Sequence, residues 1–288
     1  MPAGVWKALV GFIAVLVIAV VALDQWQSRQ GLTSLFWGPG RPLAEARPAR
    51  SVDGQPPRLP PAPAAASGAP RLAIIVDDLG SRRDVFDLVR EIGRPLAVGV
   101  LPDLPLSAWI AAEASRVGLE VLLDLPMEPY RYPELDPGPG ALMMAMPPET
   151  LGRLVAKHLA AMPSAVGAKN HMGSRMTEDR GRMRAVLEPL AAQRLVFVDA
   201  LTSNHSVAFE EARGLGLRAG RRQVVVDHSG GEAAERERWD EAGRLATERG
   251  EAIVLAHGHP LTLRLLKEYV AKWEAAGIRL VHVSQLTR

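Results

Sequence analysis

The sequence contains no cysteine. That excludes a disulfide framework, a thiolate nucleophile, a Cys-ligated zinc and a lipidated N-terminal cysteine. Aromatic residues make up only 5%, and no run of Lys and Arg with interleaved aromatics occurs, so nucleic acid is not an expected partner. Neither sign of charge dominates. Lys+Arg number 34 against 32 Asp+Glu, and the pI of about 9.1 reflects a small surplus of base. No GxGxxG turn follows the first apolar run, which argues against a dinucleotide fold.

What the 288 residues have in quantity is apolar material, 48%, ample for a large domain or two ordinary ones. Part of it lies near the N-terminus. Ala8 to Leu23 reads ALVGFIAVLVIAVVAL, without charge or proline. At ~1.5 Å per residue this run falls slightly short of a ~30 Å hydrocarbon core. Trp6 and Trp26 extend it towards both interfaces. Residues 1–30 are therefore expected to be a single-pass membrane anchor, the rival being a cleaved signal peptide with Val20-Val21-Ala22 as an imperfect site. Residues 31–70 are rich in Pro, Ala and Gly without periodicity, as in an extended tether.

From residue 71 to 288 the pattern is regular. Short apolar runs (LAIIV, LAVGVLP, LEVLLDLP, AVGAKN, LVFVDA, QVVVDH, EAIVLAHG, IRLVHVS) alternate with longer helical ones such as PETLGRLVAKHLAAM and TLRLLKEYVAKWEAAG. About eight strands separated by helices predict a parallel α/β sheet, and alternation sustained this long predicts a (β/α) barrel. The longest irregular stretch, Tyr130 to Met146, follows the third strand and has the length of a functional lid.

Chemistry in such folds gathers at the carboxyl ends of strands. Those ends carry Asp77-Asp78, Asp124 with Glu128, Asn170-His171 followed by Ser174, Asp199, Asp227-His228, and His257-Gly258-His259. Buried carboxylates need a partner or a metal. Their convergence with imidazoles suggests a hard or borderline ion such as Zn²⁺. Each also has a plainer reading. Asp77 or Asp78 could cap the next helix, Asp199 could form a turn, His257 could be a solvated loop residue, and Ser174 could begin a helix. Lys169 and Arg175 are the only obvious cations there to meet a phosphate.

Taken together, IIVDDLG, LPMEP, NHMGSRMT, FVDALT and GHP, in that order, make residues 72–286 resemble the divergent polysaccharide deacetylase family, a branch of the NodB-homology carbohydrate esterases. The resemblance implies a distorted (β/α) barrel of about seven to eight mostly parallel strands, a metal-dependent hydrolase ancestry and a bacterial periplasmic setting. It implies Asp77 as general base, Asp78 as metal ligand, His171 as imidazole ligand and His259 as general acid. Asp124 stands where the family usually carries a histidine, and would join the zinc ligands through oxygen. Asp199 is expected to orient His259 or another imidazole. Glu128, Asn170, Ser174 and His257 are expected to contact a glycan. Hydrolysis of N- or O-acetyl groups is the activity implied. A non-catalytic envelope glycan-binding or assembly role on a degenerate scaffold is the alternative, favoured by Asp124 and by the absence of the superfamily's arginine-proline motif after strand 4.

Overall fold

The computed structural model describes residues 68–228 and 230–288. The expected anchor, and all but the last residues of the expected tether, lie outside the described residues. Among the described residues, no helix is long and apolar enough to cross a membrane.

Among the described residues, nine strands form one sheet in which every pairing is parallel. In chain order they are β1 (Arg71–Leu79), β2 (Ala97–Val100), β3 (Glu120–Met127), β4 (Ala165–Met172), β5 (Val196–Asp199), β6 (Ala219–Arg221), β7 (Val224–Val225), β8 (Glu251–His257) and β9 (Arg279–Leu280). The helices are α1 (Arg83–Arg90), α2 (Ser107–Arg116), α3 (Pro148–Ala161), α4 (Arg180–Ala192), α5 (Ala208–Gly214), α6 (Gly231–Arg249) and α7 (Pro260–Ala275). The spatial order β6-β5-β4-β3-β2-β1-β8-β7 places β6 and β7 at opposite ends of the hydrogen-bonded path, with β9 paired beside the start of β1. Yet only Arg222 and Gln223 separate β6 from β7 in sequence. Three Cα–Cα steps span at most ~11 Å, so the sheet must curl until its ends nearly meet. The result is a curled, incompletely hydrogen-bonded barrel.

Two apolar clusters follow from the twofold alternation of strand side chains. Leu72, Ile74 and Val76 of β1 point outward and pack with Phe86, Val89, Trp239 and Leu266 of the helices. Ala73 and Ile75 point inward to a smaller cluster with Leu122, Val196, Val198, Ile253 and Leu255. The sequence-based strand QVVVDH is reduced to Val224–Val225, while α5 and β6 are elements the apolar pattern did not announce. Both are short, and neither carries a full period of its own.

The stretch from Tyr130 to Met146 is tied down rather than free-standing. Leu142 is fully buried and bridges Met127. Glu128 accepts a hydrogen bond from the Met144 backbone at 2.8 Å, and His158 Nε2 lies 3.0 Å from the Gly140 carbonyl.

Candidate metal centre and active site

The inward parity of each strand continues past the apolar layer and becomes polar at the carboxyl end. On β1, Ala73 and Ile75 lead to Asp77; on β3, Leu122 leads to Asp124; on β8, Ile253 and Leu255 lead to His257. On β4, Gly167 lies against inward-facing Val196, and two and four residues later come Lys169 and His171. Asp78 would point outward by parity. It breaks the alternation within β1, because its φ of 63° places it in the left-handed region and the register with β2 shifts between Val76 and Leu79. That conformation costs a non-glycine residue ~1–2 kcal/mol and persists where the surroundings hold it. Here it turns a second carboxylate into the mouth of the barrel.

Asp77, Asp124 and Lys169 are buried. Lys169 Nζ lies 2.5 Å from Asp124 Oδ1 and 3.1 Å from Asp77 Oδ2. His171 Nδ1 is 2.8 Å from Asp78 Oδ1 and 3.8 Å from Asp124 Oδ2. His257 Nε2 is 3.9 Å from Asp78 Oδ2, while its Nδ1 lies 2.7 Å from Asp227 Oδ1. Asp227 is fixed in turn, accepting from the His257 backbone at 2.7 Å and from Thr262 Oγ1 at 3.1 Å. The floor is Gly99 of β2. A methyl group there would sit 2.5 Å from Asp77 Oδ1 and 3.3 Å from Asp124 Oδ2.

These surroundings spread the proton affinities. Burial pushes the Asp77 carboxyl up; the Lys169 charge opposes this, Asp124 reinforces it, and the value reaches about 7. Asp78 carries a burial penalty too, but the charge and hydrogen bond of His171 outweigh it and hold Asp78 well below the usual carboxylate range. Burial disfavours the charge on His257, yet the hydrogen bond and charge of Asp227, with Asp78 and Asp77 behind, raise it to about 10. Lys169 and His171 are likewise raised against their own desolvation, by Asp124 with Asp77 and by Asp78 respectively.

One atom each from Asp78, Asp124 and His171 lie within 4.8 Å of one another. Asp124 Oδ2 is buried without a hydrogen-bond partner, and Asp78 Oδ1, also buried, has only the His171 ring nitrogen beside it. Two ligand atoms at ~2.0–2.2 Å from a tetrahedral ion are about 3.4 Å apart, which falls between the 2.8 and 3.8 Å that separate these oxygens from His171 Nδ1. Two buried carboxylate oxygens and an imidazole nitrogen thus fit a divalent ion.

A family model described as divergent polysaccharide deacetylase matches residues 74–287. The chain belongs to this family. It is 35% identical over 202 residues to YibQ of Escherichia coli (strain K12), a stretch covering 70% of this chain and 63% of that protein. A Haemophilus influenzae protein is 28% identical over 197 residues, 68% of this chain and 70% of its own. The chain therefore spans less than two thirds of the Escherichia coli relative. In fold it is similar to the crystal structure of protein ATU2773 from Agrobacterium tumefaciens C58, with a TM-score of 0.71 and 24% identity, covering 83% of this chain and 98% of that one.

For this member of the divergent polysaccharide deacetylases, the expected site residues divide into two groups. Asp77, Asp78, Asp124, His171 and His257 are brought together. His259 is exposed, its ring 6.2 Å from that of His257, at the start of α7. It is His257, two residues earlier and on the inward parity of β8, that faces the carboxylates. Asp199 orients no imidazole. It follows Phe197 on the outward side of β5, accepts from Leu201 N at 2.8 Å and Ser206 Oγ at 3.0 Å, and lies 3.5 Å from Arg221. The histidine's carboxylate partner is Asp227 instead. Glu128 is buried, taking Arg175 at 2.7 Å and the Met144 backbone. Asn170 ties Ala200 N to the Met172 carbonyl, and Ser174 accepts from Tyr130 N at 3.2 Å. These three brace the rim. Neither tandem aspartate caps α1, whose N-cap is Arg82. Lys169 and Gly99 are site residues that the strand-end motifs do not mark for these roles, although β-strand alternation from Gly167 and Ala97 points to both.

Proposed function

We propose that the protein is a metal-dependent hydrolase that removes acetyl groups from an envelope polysaccharide or amino sugar. The observation that carries this reading is the pair of buried carboxylate oxygens on Asp78 and Asp124 facing His171, with Asp77 and His257 on either side. Asp78, Asp124 and His171 would hold the ion, which when bound would polarise an acyl carbonyl and acidify a water.

Asp77 serves as general base. A proton affinity near neutrality lets it be ionised in a useful fraction and still accept a proton. Lys169 steadies its Oδ2 and leaves Oδ1 without a partner, directed at the space below Gly99's missing side chain. His257 serves as general acid in place of His259. Asp227 fixes its Nδ1 and keeps it protonated, so that Nε2 is the atom positioned to deliver a proton to the departing amine or alkoxide. The setting on this reading is the periplasmic face of a bacterial inner membrane, supported by the uncharged run Ala8 to Leu23 and the Pro/Ala-rich tether.

The test is acetate release from acetylated chito-oligosaccharides and peptidoglycan fragments by metal-loaded protein. Activity abolished in His257→Ala and largely kept in His259→Ala is the expected result. No release from any substrate by protein with stoichiometric metal would overturn the reading. A second reading, a non-catalytic glycan-binding module, is favoured by Lys169, whose ammonium already neutralises Asp124. It predicts no stoichiometric metal in the wild-type protein, and none to be lost in Asp78→Ala or His171→Ala.

A further inference from the structure

One arginine ends β6 and a second follows it, and they face opposite ways. Arg221 lies on the outward side, 3.5 Å from Asp199, 3.0 Å from Glu210 and stacked on Phe209 at 4.8 Å. Arg222 shares its parity with Gly220, where an added methyl group would meet inward-facing Ile253 at 2.7 Å. Arg222 therefore lies on the inward side, bonded to Ala200 of the inward cluster and near enough to Asp77 for that carboxylate's charge to act on it. Among the described residues it forms no salt bridge. Its Nε donates to the Ala200 carbonyl and its Nη2 to the Leu201 carbonyl at 2.9 Å.

Those two bonds use one side of the guanidinium and fix its plane. The end-on edge, with one N–H from each terminal nitrogen, has no acceptor among the described residues. This is the geometry that takes a carboxylate through two parallel hydrogen bonds. Desolvation draws the Arg222 proton affinity down to about 10, with only the more distant charges of Asp199 and Asp77 resisting. A cation in that condition is stabilised by an anion arriving with the ligand.

We propose that Arg222 is the docking group for a carboxylate on the ligand, so that the site selects acidic sugars over neutral ones. The inference rests on the glycan reading above, and names a ligand class within it.

Equilibrium binding to the full chain tests it, using an acidic N-acetylated oligosaccharide against its methyl ester, a sugar phosphate of similar size and a neutral acetylated chito-oligosaccharide. The free acid should bind at least about tenfold tighter than the ester or the phosphate. Arg222→Gln should erase that preference and leave the neutral sugar's affinity unchanged. Arg222→Lys, which keeps charge without the planar fork, should retain part of it. Equal binding of acid and ester, no binding of either, tighter binding of the phosphate, or a preference that survives in Arg222→Gln overturns the proposal. Failure of acetate release alongside an intact acid preference would sink the deacetylase reading alone.

Discussion

Without a metal, Asp78 faces His171, Asp124 faces Lys169 and Asp227 faces His257, which leaves Asp77 to share Lys169. Burial raises the proton affinity of this fourth carboxylate, and with no cation of its own to offset that penalty it climbs to about 7 while that of Asp78 falls. Its folded value exceeds the ordinary 3.8, so between those pH values the folded state binds more protons than the unfolded one. Stability then declines as pH rises across that window. In chelator-treated protein, Asp77→Asn should therefore gain melting temperature relative to wild type at pH 8 and gain little at pH 4. The same sign governs His257, in a higher window. Raised from 6.5 to about 10, it contributes stability that is full below 6.5 and is lost as pH climbs towards 10. A ¹⁵N-resolved imidazole titration should show His257 protonated through neutrality, and Asp227→Asn should return it towards the ordinary range. A His257 that titrates normally in the wild type would remove the basis for its role as acid.

At the scale of elements, the site depends on β2 having nothing to offer at one position. A Cβ on Gly99 would reach within 2.5 Å of a buried carboxylate oxygen held on its far side by Lys169, so neither partner can move freely. Gly99→Ala should cost about 1–3 kcal/mol in chemical denaturation and lower metal affinity with it. Gly214→Ala at the end of α5, where a methyl group meets nothing within 4 Å, should be neutral or add up to about 1 kcal/mol. Equal effects at both would mean that the floor adapts. Gly99 illustrates what a sequence conceals, since its importance lies in what two neighbouring strands project over it. Asp77, Asp78, Asp124 and His171 were legible because strand ends can be located from apolar runs. Counting alternate residues from Ile253 separates His257 from His259, and counting from Phe197 turns Asp199 outward. The reading by motif order alone lost that distinction. α5 and β6 escaped because seven and three residues hold too little periodicity to signal.

For the whole molecule, the weak point is the seam where the curled sheet fails to close. Among the described residues β6 pairs only with β5 and β7 only with β8, and Gln223 stands between them. Its backbone N–H donates to the Ile253 carbonyl at 2.8 Å, its Oε1 accepts from Ile253 N at 2.5 Å, and its Nε2 donates to the Arg221 carbonyl at 2.6 Å. One side chain thereby supplies hydrogen bonds to β8 and β6 that an adjacent strand would otherwise have made. The same two-residue connection carries Arg222, so the seam and the rim of the site share their geometry. Gln223→Ala leaves the Ile253 N–H buried without an acceptor, a loss of about 1–3 kcal/mol. Hydrogen exchange should show it as faster exchange at Ile253 and through Ala219–Val226, with β2, β3 and β4 protected as before. Uniform loss of protection across the sheet would mean instead that the barrel opens as one unit, and that Gln223 does not act as a local clasp.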